Sequence, residues 1–183
     1  MSGLRVLKPG PLSLLQDAGR QGWQHLGVSP SGPLDGHAAA WANYLLGNAW
    51  GTPLLEIALG DVELCSEVDT WLALTGAELP ASIDGRALPT WSRFPLRAGQ
   101  CLRLGFARSG QRAYLAAVGG FRAAAVLGSV STQVREGLGG LDQHQPIRRL
   151  TRRRPGVGTS TDRWRGRRLA PRGPHHDRTY PTS

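Results

Sequence analysis

The chain is interrupted too often to be built from long helices. From Leu4 to Val118, short apolar runs alternate with Gly, Pro and Asp-Gly turn signals. Leu4-Arg-Val-Leu alternates and is closed by Lys8-Pro9-Gly10-Pro11, which predicts a strand ending in a turn, and Leu12 to Gln16 reads as a second. Leu54-Leu-Glu-Ile-Ala-Leu is a short apolar run with one charge, Glu56, at its centre. Asp61 to Cys65 alternates, and Thr70 to Ala77 is nearly continuous in apolar character, as in a strand buried on both faces. Asp84-Gly85 is a two-residue hairpin signal. Trp91 to Arg97, Gln100 to Phe106 and Arg112 to Val118 complete the series. Such spacing predicts a mainly β barrel or sandwich with one or two short helices.

The main helix signal lies at Asp35 to Gly47. Asp35 is placed as an N-cap, Ala38, Ala39, Trp41, Ala42, Leu45 and Leu46 recur at helical spacing, and Gly47 stands where a left-handed C-terminal cap needs no Cβ. The preceding Gly27-Val-Ser-Pro-Ser-Gly-Pro-Leu is stiffened by two prolines. A rigid loop running into a helix N-terminus has two readings, a well-made turn or a site for an anion or carbonyl oxygen.

Charge divides the chain. Residues 1–142 hold one Lys and ten Arg against eleven acidic residues, so the formal +9 belongs entirely to 143–183. Apolar periodicity stops near residue 142, and the Arg-rich remainder cannot bury enough apolar surface to offset its ordering entropy, so a disordered tail is expected there. That tail lacks aromatic interleaving beyond Trp164 and Tyr180, and nucleic acid is not the expected partner. No run is long and apolar enough to cross a membrane. Cys65 and Cys101 could pair, but two lone thiols without a CxxC spacing fit reduced core residues and a cytoplasmic protein.

Several motifs then occur in order: Leu7-Lys-Pro-Gly, Leu15-Gln-Asp-Ala-Gly-Arg-Gln-Gly-Trp, Gly27-Val-Ser-Pro-Ser-Gly-Pro-Leu-Asp, Trp41-Ala-Asn-Tyr-Leu-Leu-Gly-Asn, Leu55-Glu-Ile, Leu74-Thr-Gly-Ala, Arg112-Ala-Tyr-Leu-Ala and Leu127-Gly-Ser-Val-Ser-Thr. Together they resemble the biotin-dependent carboxyltransferase, allophanate hydrolase subunit 2-like family, which includes the C-type subunit of bacterial 5-oxoprolinase and the carboxyltransferase region of urea carboxylase. Pro33-Leu34 replaces the family's usual Ala-Met, and Asp61-Val62 a common Gly-Pro.

The resemblance implies a cyclophilin-like β-barrel. It also implies either carboxyl transfer from carboxybiotin or ATP-dependent opening of a lactam such as 5-oxoproline. The expected partners are 5-oxoprolinase A-type and B-type subunits, the latter kinase-inhibitor-like. ATP would act at the level of the complex, and biotin, with no attachment motif here, on a separate chain. The other reading is a non-catalytic regulatory or binding subunit that captures the kinase-inhibitor-like partner. The motifs stop near Gly140, where family members continue, so the sequence reads as the N-terminal part of the domain over 1–142, inactive alone, with 143–183 expected to be a frameshift product.

Opening a small amide needs oriented donors, a cation for developing charge, and a carboxylate. Asp35, Asn43 and His25 are the candidate catalytic residues, with Gln16, Asp17, Arg20, Ser31, Gly32, Glu56, Arg112 and Tyr114 as candidate substrate-binding residues. Each also has a structural reading: a cap or turn for Asp35 and Asp17, a hydrogen bond to a loop backbone for Asn43, a surface position for Glu56, an exposed strand end for Arg112. His25 and His37 have no metal-ligand spacing, so no metal is expected.

Overall fold

A computed structural model describes residues 3–140 and 149–151. The mainly β expectation holds. Strands β1 (Gly3–Pro9), β4 (Gly60–Ser66), β6 (Ala81–Ile83), β7 (Arg86–Leu88), β9 (Cys101–Phe106) and β11 (Arg149–Thr151) form one sheet in the order β11-β1-β4-β9-β6-β7. Strands β2 (Leu12–Gln16), β3 (Leu54–Ala58), β5 (Thr70–Glu78), β8 (Ser92–Leu96) and β10 (Ser109–Ala117) form the second in the order β2-β3-β10-β5-β8. All pairings are antiparallel and each sheet is open, so a closed barrel wall is not part of the observed strand pairing.

The principal core lies between the sheets. Leu4, Val62, Leu64, Leu102 and Leu104 from the first meet Leu15, Leu55, Ile57, Leu72, Leu74 and Leu115 from the second. Each such side chain contributes about 1.5–3 kcal/mol by leaving water. A second cluster covers the other face of the second sheet, where helix α1 (Gly36–Leu45) packs Ala38, Ala39 and Ala42 on Leu54, Ala73, Tyr114 and Ala116. Because side chains alternate along a strand, Glu56 and Tyr114 fall on this helix-covered face, and they are cross-strand partners in the β3–β10 register.

The ends of α1 follow the sequence. Asp35 Oδ1 accepts the Ala38 N–H at 3.0 Å. At the other end Gly47, at φ 69°, donates to Tyr44 O and Asn48 donates to Asn43 O, a Schellman arrangement. A 3₁₀ turn at Gln24–Leu26 is the second helical element. Asp84 and Gly85, at φ 48° and 82°, make the tight turn of the β6–β7 hairpin.

Three features of the sequence take a different place in the fold. Trp41 shares the helical period of the alanines but lies outside the core: small alanines face the sheet, so the large ring projects outward and is exposed. Cys65 and Cys101 are not separate reduced thiols: they stand opposite each other in the β4–β9 register, Cα atoms 4.0 Å apart, and are disulfide-bonded. The segment after residue 142 is not wholly outside the fold either, since β11 pairs with β1 and Leu150 is fully buried. The remainder of the expected tail, and the expected frame change, lie outside the described residues. Among those residues no helix is long and apolar enough to cross a membrane.

Candidate functional site

The predicted residues separate into two polar groups bridged by one loop. The first group lies at the start of α1. Glu56 is buried; its Oε2 accepts the Leu34 N–H at 2.8 Å and the Tyr114 hydroxyl at 2.9 Å. The same Tyr114 oxygen accepts the Asp35 N–H at 2.7 Å. Tyr114 therefore joins the helix N-terminus to the carboxylate. Burial drives the phenol far above its usual range, and the neighbouring Glu56 charge adds to that shift, so the hydroxyl stays protonated. Arg112 Nε approaches Glu56 Oε1 at 3.6 Å, and Arg112 Nη1 donates to Gln111 O at 3.3 Å. Glu56 is thus no surface residue of an amphipathic strand, and Arg112 is half-buried beside it.

The second group ties the β2 end to residues 126–140. Asp17 Oδ1 accepts from the hydroxyls of Ser129 and Ser131, at 2.5 and 2.7 Å, and from the Gly19 N–H at 2.9 Å. Oδ2 accepts the Val130 N–H at 2.8 Å. Burial raises this carboxyl, but the four hydrogen bonds outweigh burial and hold it below its usual value. Arg20 is completely buried, and among the described residues no carboxylate lies within ion-pair distance of it. Its guanidinium donates instead to Val126 O at 3.1 Å, Ser131 O at 2.7 Å and Ser31 Oγ at 3.2 Å. Ser131 links the two charges, since its hydroxyl holds Asp17 and its carbonyl holds Arg20. Gly139 runs against the guanidinium, where a Cβ would lie 2.7 Å from Nη2.

The Ser31–Leu34 loop connects the groups. Gly32 N–H donates to Gln16 Oε1 at 3.2 Å, while Gln16 Nε2 donates to Thr132 O at 3.2 Å. Two residues on, Leu34 N–H is held by Glu56. Ser31 has φ 60°, a left-handed conformation that a non-glycine residue adopts only when its neighbours hold it there.

Most of the predicted donors are therefore committed internally. Gly32 N–H serves Gln16, and Asp35 Oδ1 serves the cap. Asn43 Nδ2 donates to Thr52 O and its Oδ1 accepts from Asn48 Nδ2, so it braces the loop after the helix, away from the carboxylate. His25 sits on the exposed 3₁₀ turn, and among the described residues its side chain makes no hydrogen bond to either group. Ser129, Ser131 and Thr132 are absent from the sequence-based candidates, although the motif Leu127-Gly-Ser-Val-Ser-Thr carries them. Their hydroxyls are spent on Asp17 and on Leu15 O, so this glycine-serine turn does not fit a phosphate, which would face the Asp17 carboxylate. Among the described residues no three His, Cys, Asp or Glu side chains are placed to hold a metal. Among the described residues, Glu56 Oε1 has only the 3.6 Å approach of Arg112 Nε, and the Ser31 hydroxyl, which accepts from Arg20, has no acceptor for its own proton.

This arrangement has relatives. Residues 26–178 match the family described as carboxyltransferase domain, subdomain A and B. The chain belongs to this carboxyltransferase family. It is 42% identical to the C-type subunit of 5-oxoprolinase from Escherichia coli (strain K12) over 139 residues, 76% of this chain and 45% of that protein. It is 34% identical to urea amidolyase of Saccharomyces cerevisiae over 140 residues, 76% of this chain and 8% of that protein. Kluyveromyces lactis urea carboxylase superimposes with a TM-score of 0.80 at 30% identity, covering 84% of this chain and 14% of the other. This carboxyltransferase chain therefore spans less than half the length of these relatives. The family match also runs past residue 142, beyond the last of the sequence motifs.

Proposed function

We propose that this chain is the carboxyltransferase-type component of a multi-subunit enzyme that acts on a small amide or lactam, of the 5-oxoprolinase or urea carboxylase kind. Similarity to the C-type subunit of 5-oxoprolinase favours the lactam. The observation that carries the site assignment is the buried Glu56 carboxylate, with one oxygen saturated by Leu34 N–H and Tyr114 and the other left toward Arg112.

In this reading Glu56 Oε1 accepts the substrate's amide N–H, and the Arg112 guanidinium stabilises charge that develops on the carbonyl oxygen. Tyr114 and Asp35 position the carboxylate: the hydroxyl is clamped by a helix-terminal N–H and cannot rotate away. Ser31 offers its remaining proton from the rigid loop, backed by Arg20. Gln16 holds that loop through Gly32 N–H, and Asp17 holds the adjoining segment 129–131. ATP enters through partner subunits of the A and B types, and biotin, where used, is carried by another chain. Neither is assigned a contact with these residues.

The test is a chimera in which residues 4–140 replace the matching part of the Escherichia coli protein, assembled with that protein's own partners. The reading expects ATP hydrolysis that depends on 5-oxoproline. Assembly of a folded complex with no response to either 5-oxoproline or urea contradicts it.

A further inference from the structure

Helix α1 is built inside out. The side facing the sheet carries Ala38, Ala39, Ala42 and Asn43, all buried. The side facing solvent carries His37, Trp41 and Tyr44, at the i, i+4 and i+7 positions of one face. An ordinary surface helix has the reverse arrangement, with the large apolar residues inward.

The aromatic face extends beyond the helix. Trp41 meets Tyr44 edge-on with ring centroids 5.2 Å apart, His37 lies 6.3 Å from Trp41, and Trp91 lies 6.1 Å from His37. Trp50 reaches the same surface, 3.9 Å from where a Cβ on Gly36 would stand. Trp41, Tyr44, Trp50 and Trp91 are 41%, 69%, 58% and 45% exposed. Together these four rings leave on the order of 500 Å² of side-chain surface in water. That is the top of the range for a patch on a monomer, and with a polar rim it approaches the area each partner gives to a stable interface.

We propose that this band is the contact between two copies of the chain, with their α1 helices packed antiparallel about a twofold axis. The band itself carries aromatic rings, so bringing two of them together opposes no like charges. Its ends are of opposite sign. Asp35 is exposed at the helix N-terminus, and the Arg93 guanidinium sits at the C-terminus, donating to Leu45 O at 3.5 Å. An antiparallel pair sets the Asp35 end of each helix against the Arg93 end of the other and opposes the two helix dipoles, both attractive. At ten residues the helix is about 15 Å long, short enough for one twofold contact to engage the whole band.

The test is sedimentation velocity on the full chain across the micromolar range. The expected species has twice the chain mass. Trp41→Glu is expected to weaken the dimer at least ~30-fold with unchanged circular dichroism. Tyr44→Arg, at the most exposed ring, gives the same readout should the Trp41 variant not fold. Phe106→Glu, at an exposed ring outside the band, is expected to leave the dimer intact. A single-chain mass at every concentration overturns the proposal. So does a dimer that survives both Trp41→Glu and Tyr44→Arg.

Discussion

The Tyr114 hydroxyl donates to Glu56 Oε2 at 2.9 Å from the neighbouring strand, and the Tyr114 hydroxyl oxygen itself accepts the Asp35 N–H at 2.7 Å. One phenol thus fixes both the carboxylate and the first turn of α1. Tyr114→Phe removes a donor to a buried carboxylate and strands the Asp35 N–H. The expected loss is about 2 kcal/mol, read as a fall in Tm of roughly 4–8 °C. The pH dependence has a defined sign. The native phenol is raised above its ordinary value of 10.0, so its contribution is complete below pH 10 and is lost as pH rises beyond it. Wild-type protein is therefore expected to lose stability above pH 10 more steeply than Tyr114→Phe in chemical denaturation at matched pH.

Asp17 gives the opposite limb. Its carboxyl is held below the ordinary 3.8 by donors from Ser129, Ser131, Val130 and Gly19, against the upward push of burial. Its stabilisation is present above pH 3.8 and is lost as pH falls through that value toward the native one. Asp17→Asn is expected to destabilise the chain at neutral pH and to flatten its acid limb, measured by urea titrations between neutral and acid pH.

Asn43 is assigned to the fold. Removing its amide leaves Thr52 O without its donor and takes one acceptor from Asn48, whose other bonds reach Ala117 O and Gly119 N–H. Asn43→Ala is expected to cost about 1–3 kcal/mol of stability. In the chimera described above, kcat at a temperature where the variant is folded is expected to match the parent. A catalytic Asn43 would instead lose turnover without loss of stability.

Some of this is legible in the sequence, and the rest is hidden for physical reasons. Turns and caps are readable because Asp84-Gly85, Asp35 and Gly47 act through local backbone geometry. Strand existence follows from alternation. Which face a residue takes is harder. Ala39 and Trp41 are both apolar and on opposite sides of α1, so periodicity alone does not choose between them. Glu56 sits in a strand buried on both faces, where alternation carries no sign. Cys65 and Cys101 meet only through the β4–β9 register, a relation that a 36-residue separation does not reveal. The three-residue β11 is too short for a period, and Leu150 lies among arginines. At the site, residue types are legible but their commitments are not. Gln16, Asp17 and Arg20 have the chemistry of a binding site, and the structure spends that chemistry on Thr132, Ser129, Ser131 and Ser31.

The most direct measurement is the turnover of the chimeric complex with Glu56→Gln. The glutamine keeps the shape of the side chain and removes the charge that Arg112, Tyr114 and Leu34 N–H surround. A fall in kcat of roughly 100-fold or more is expected, with assembly and secondary structure retained. A folded, assembled Glu56→Gln complex that turns over at the parent rate contradicts a role for the Glu56 carboxylate in the reaction.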